Sequence, residues 1–152
     1  MQVRHMMQAI PEQLGRTVYA EVDEAAGPDP LRQAAGWLAR FEPWLGPCRN
    51  VGVAVRALEG LRATVVSAGY QDDRVAMVHL VGPRPAELKP RWKLEGAAAT
   101  LEAEDGVLRL SRAGQVLDPS GIALPDASPG RVAILNDALA KAAASSLVET
   151  VE

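Results

Sequence analysis

Few side chains in this sequence are placed for chemistry, and they are scattered. His79 alternates with Val75, Met77 and Val81, which puts it on an apolar strand face. An imidazole titrating near neutrality could act there as a general base or ligand, given a carboxylate or nucleophile within hydrogen-bond reach. Tyr70 and Arg74 are the groups that would share such a site. The plainer reading is a half-buried histidine whose hydrogen bonds are met. Cys48 stands between Pro47 and Arg49, and the neighbouring cation would lower its thiol pKa. No histidine lies near it in sequence to complete a Cys–His pair, so it reads as a structural thiol. Asp72-Asp73 could hold a cation or act as an acid–base pair, but they lack calcium-loop spacing and read as turn acids. Glu21, Asp23 and Glu24, at a strand end and the loop beyond it, read the same way.

Two groups of residues suggest binding. Arg84, Lys89, Arg91 and Lys93 surround Trp92 in a proline-punctuated segment. Cations interleaved with an aromatic could hold a phosphate backbone and stack a base. The alternative is a solvated loop whose Trp92 turns into the core where a strand begins. Trp37, Phe41 and Trp44 cluster around the end of a predicted helix, with Trp37 and Phe41 four residues apart on one face. Left exposed, such aromatics would anchor a protein interface; buried, they supply the bulk that an alanine-rich core lacks.

No Cys/His cluster has zinc spacing, no P-loop or dinucleotide-binding glycine pattern occurs, and no serine sits in a nucleophile elbow. The expectation is therefore no metal and no cofactor. A net charge of −3 gives no general attraction to nucleic acid or anionic membrane. No stretch approaches the roughly 20 apolar residues of a membrane span, and no secretory h-region follows Arg4-His5. A single cysteine forms no internal disulfide, and a soluble, cytoplasmic protein is the expectation that remains.

The elements that must position these groups can be outlined. Val3, Met6, Met7, Ile10 and Leu14 have helical spacing broken by Pro11. Residues 16–22 alternate as a strand. Asp29-Pro30 is a cap followed by a first-turn proline, opening a helix that Pro43 should end. Alternation resumes at Val51, Val53 and Val55, with a turn at Glu59-Gly60. The runs 61–68 and 74–81 are nearly all apolar, which predicts central strands covered on both faces. Strands at 98–103 and 107–110 flank Asp105-Gly106, and 115–117 is read as a short edge strand beyond Ala113-Gly114. Ser128-Pro129 opens a last, alanine-rich helix to about Leu147.

These features predict one α+β domain over 1–152: a mostly antiparallel sheet of five to seven strands carrying two to three helices. The absence of a catalytic constellation makes a non-catalytic interaction or assembly protein the leading expectation, not an enzyme. A chaperone, an adaptor or a structural subunit of a bacterial or phage assembly would qualify. Its partner would be another protein or itself, as a homodimer or larger assembly. The alternative is a small enzyme or ligand-binding domain with a pocket between sheet and helices near His79. A weaker one is nucleic-acid contact through Arg84–Lys93.

Overall fold

The computed structural model describes residues 14–83, 90–104, 106–119, 122–145 and 149–151. The predicted helix over 3–10 lies outside them, as do Arg84 and Lys89. The chain runs β1 (Thr17–Ala25), α1 (Pro30–Leu45), β2 (Cys48–Leu58), β3 (Leu61–Tyr70) and β4 (Val75–Gly82). It continues through β5 (Arg91–Gly96), β6 (Thr100–Glu104), β7 (Val107–Arg112), β8 (Gln115–Leu117), α2 (Pro129–Ser145) and β9 (Glu149–Thr150).

All the strands join one sheet in the order β8-β7-β6-β5-β1-β4-β3-β2-β9. β1 lies parallel to β4 and antiparallel to β5, and the remaining pairings are antiparallel. This corrects the expectation of a mostly antiparallel sheet of five to seven strands. The described residues form a mixed sheet of nine, whose parallel pair arises because α1 and the β2–β3 hairpin carry the chain back beside β1. The two unforeseen strands are β5, within the segment read as basic and proline-punctuated, and β9, just beyond the expected end of the last helix.

Turn chemistry sets the hairpins. Glu59 and Gly60 both have positive φ, 51° and 82°, the twist that suits a two-residue hairpin between β2 and β3. Ala113 and Gly114 repeat this between β7 and β8. Asp29 caps α1, its Oδ1 accepting the Arg32 N–H at 3.3 Å, with Pro30 in the first turn. Pro43 does not end α1, which continues to Leu45. Pro43 removes the N–H that would bond the Ala39 carbonyl, a single lost bond near the helix end, and Gly46, at φ 83°, closes the helix by donating to the Glu42 carbonyl at 2.9 Å.

Both helices cover the same face. Ala20 and Val22 of β1, Val66 and Ala68 of β3, Val78 and Leu80 of β4, and Leu94 of β5 point into that layer. There they meet Leu38, Phe41 and Trp44 of α1, and Leu135 and Leu139 of α2. β3 and β4 alternate buried with half-exposed or exposed residues, so among the described residues the apolar runs at 61–68 and 74–81 are covered on one face only, and the opposite face is open. Val65, Met77, His79 and Val81 are the half-covered remainder.

Candidate functional site: a cleft at the end of β1

The structure separates the residues singled out from sequence. Trp37, Phe41 and Trp44 are 8%, 0% and 1% exposed. They belong to the core and offer no outward anchor for a partner. Trp37 stacks on Phe41 with centroids 6.1 Å apart, and Trp44 packs against Trp92 at the same distance. Trp92 thus faces the helices, while strand alternation sends Arg91 and Lys93 to the open face. Lys93 lies 3.2 Å from Glu95 and 3.4 Å from Glu21, and Arg91 is 4.0 Å from Glu104. Its hydrogen bond to Glu95, with help from Glu21, raises the Lys93 pKa. The cations are therefore matched by carboxylates and parted from the aromatic, so Arg91, Trp92 and Lys93 do not form the predicted base-stacking surface.

This open-face array borders a trough of about 230 Å³. Across the strands the register runs Glu21, Lys93, Glu102, Arg109, with Asp23, Arg91, Glu104 beside it. His79 neighbours Asp23 in the β1–β4 register, also on the open face. That placement corrects the expected pocket between sheet and helices near His79, which lies on the far side from both. Tyr70 points inward and donates to the Leu38 carbonyl at 2.8 Å. Burial raises its pKa well above the ordinary phenol range.

Two polar clusters brace α1. Glu42 takes a two-point contact from Arg131 of α2, at 2.8 and 2.7 Å, and accepts the Cys48 N–H at 2.9 Å. Cys48 is buried, and desolvation, then the Glu42 charge, push its thiol to about 12. Burial thus moves the thiol in the opposite direction to the lowering that Arg49 suggested. At the other end, Glu24 accepts from Gln33 Nε2 and Trp37 Nε1, each at 2.8 Å. Gln33 also binds the Gly27 N–H and the Ala25 carbonyl. The β1–α1 turn is thereby tied to the helix it opens.

Beside that turn lies a cleft of about 520 Å³. Its floor is the helix-facing side of β3 and β4, with Arg62, Thr64 and Gly82; its upper wall is Asp29, Leu31 and Ala143. Gly82 lets the turn descend, since a Cβ there would meet that of Ala26 at 3.2 Å, and the Ala26 N–H bonds the Val81 carbonyl at 3.0 Å. Thr64, 4% exposed, is the one buried polar side chain among the described residues. Sequence reasoning missed this cleft. Its signal was Arg62 and Thr64, two apart at the start of a largely apolar strand.

Among the described residues no group of three or more His, Cys, Asp or Glu side chains could hold a metal, and no helix is long and apolar enough to cross a membrane. No protein-family model matches the sequence, and neither does any curated protein. Solved structures share the fold. A levoglucosan dehydrogenase in complex with NADH superposes with a TM-score of 0.66 at 11% identity, over 96% of this chain and 62% of that one. The WlbA dehydrogenase of Chromobacterium violaceum, with NADH and UDP-GlcNAcA, gives 0.65 at 13%, over 97% and 59%. An oxidoreductase of Agrobacterium radiobacter, with NAD+, L-tartaric acid and magnesium, gives 0.62 at 13%, over 96% and 60%. The chain thus spans about three-fifths of the length of these structures. An architecture shared with dehydrogenases overturns the leading expectation of a non-catalytic assembly protein, and with it the leaning away from an enzyme.

A dinucleotide can be tested against the β1–α1 junction, the natural phosphate seat of a strand–turn–helix unit. Pro30 has no N–H, and the Arg32 and Gln33 N–H groups already bond Asp29. The Gly27 N–H is taken by Gln33. Three amides of this turn are thereby engaged, and the Asp29 carboxylate occupies the helix start that a pyrophosphate would take, so the residues of this turn do not suit it.

Proposed function

We propose that this chain is a ligand-binding domain of an oxidoreductase-type architecture, with its ligand seated in the cleft beside the β1–α1 turn. The fold shared over nearly the whole chain with dehydrogenases carries this reading. Two further observations support it. The cleft is concave, apolar-walled and furnished with a few convergent polar groups, as small-molecule sites are. The junction that would cradle a dinucleotide presents the Asp29 carboxylate at the helix start, so any nicotinamide cofactor would be held by other residues. A cytoplasmic setting, consistent with the single free thiol, belongs to the same proposal.

Backbone amide NMR tests it. Titration with a library of small polar metabolites should shift Gly27, Thr64 and Gly82, while NADH should leave all three in place. A dinucleotide that binds at the turn, or small ligands that gather only on the open face, would refute the assignment.

A second proposal concerns self-association. The open face pairs a half-covered apolar region, Val65, Met77 and Val81, with the alternating charges of β1, β5, β6 and β7. We propose that two copies meet through this face. Sedimentation velocity should find a dimer that Met77→Glu dissociates; a monomeric wild-type protein at about 100 μM, where interfaces of ordinary size are occupied, would reject it.

A further inference from the structure

The chemistry of the cleft narrows what it takes. We infer that its ligand is a small hydroxy acid, with the carboxylate on Arg62 and a hydroxyl on Asp29; this rests on the ligand-binding reading above. Arg62 and Thr64 stand two residues apart on the helix-facing side of β3, opposite Gly82 and Leu80 of β4. Arg62 has no ion-pair partner among the described residues. A free guanidinium in a cleft offers a planar fork that matches a carboxylate in two-point contact. Around the turn the Gly27, Arg32 and Gln33 amides are engaged by Gln33 and Asp29, and the Asp29 carboxylate would repel the ligand's charge there. Thr64, nearly withdrawn from water, brings a hydroxyl into an otherwise apolar floor, where it can bond the second carboxylate oxygen.

The opposite wall excludes a bare anion. Asp29 engages Arg32 through Oδ1 alone, at the long distance of 3.3 Å, and its second oxygen would repel a phosphate while accepting a hydroxyl. Between these two poles, Leu31, Val55 and Ala143 give apolar contact for a short carbon chain. A volume of about 520 Å³ has ample room for such a ligand.

Sodium gluconate, sorbitol and inorganic phosphate are the probes, followed by amide NMR on the full chain. Gluconate should shift Gly27, Thr64 and Gly82. Arg62→Met should weaken it about tenfold or more, the loss expected for a charge-assisted hydrogen bond. Thr64→Val, which keeps the shape of the side chain, should weaken it severalfold, and Arg112→Met on β7 should leave it unchanged. Sorbitol binding as tightly as gluconate, or gluconate unaffected by Arg62→Met, overturns the acid and leaves the cleft as a ligand site. Phosphate matching gluconate overturns the hydroxy-acid assignment in favour of a simple anion. If no probe moves the cleft amides while other metabolites in the library do, this inference alone fails. If nothing in the library moves them, the ligand-binding reading fails with it.

Discussion

Raising the pH should destabilise this protein through one thiol. Cys48 is buried beside the Glu42 carboxylate, and its pKa rises from the ordinary 9.0 to about 12. Between those values the unfolded chain loses the thiol proton while the folded chain keeps it. The unfolded state then binds fewer protons, so stability falls as pH rises. The contribution is intact below pH 9 and fades towards pH 12. Linkage gives a loss of about 1.4 kcal/mol from pH 8 to pH 10, since one pKa unit corresponds to about 1.4 kcal/mol. Tyr70, also raised by burial, adds a smaller share as pH nears the ordinary phenol value of 10.0 and a larger one beyond it. Urea unfolding at half-unit pH steps measures the effect, with Cys48→Ala as the reference. The wild type should lose about 1.4 kcal/mol over this interval, and the variant well under half of that. Equal losses in both proteins would refute the argument, because the slope would then come from other groups.

Three further outcomes follow from the packing. Leu139→Ala should cost about 2–5 kcal/mol in the same unfolding assay, because its fully buried side chain joins α2 to the core. Tyr70→Phe should cost about 1–3 kcal/mol by leaving the Leu38 carbonyl without the phenol's hydrogen bond. Glu24→Leu should move the Trp37 indole N–H resonance and cost about 1.5–3 kcal/mol, since two donors lose one charged acceptor.

The sequence was most legible where chemistry is local. Asp29-Pro30 marks the start of α1, Glu59-Gly60 the β2–β3 turn and Ser128-Pro129 the start of α2, because caps and turns are decided by adjacent residues. β5 escaped notice because Arg91, Lys93 and Glu95 alternate with Trp92 and Leu94. A true two-residue period is present, yet the cations and prolines around it read as an exposed loop. The parallel β1–β4 pairing depends on Ala20 meeting Ala76, a contact 56 residues apart that no local pattern encodes. The cleft was hidden for the same reason, since Asp29, Arg62 and Ala143 converge only through tertiary structure. His79 shows the converse case. Its strand face was evident from alternation, but which face the helices cover is decided elsewhere in the chain.

The position of β1 also bears on the order in which the sheet can form. Residues 48–82 and 91–117 are each a run of sequential hairpins, made of short loops that close quickly. β1 is the strand that joins them, bonded to β4 on one side and β5 on the other. Neither run can merge with the other until a strand encoded before both is inserted between them. The rate-limiting search should therefore be the seating of β1. Changes at Ala20 or Val22 would slow folding, while changes in the outer hairpins would mainly speed unfolding.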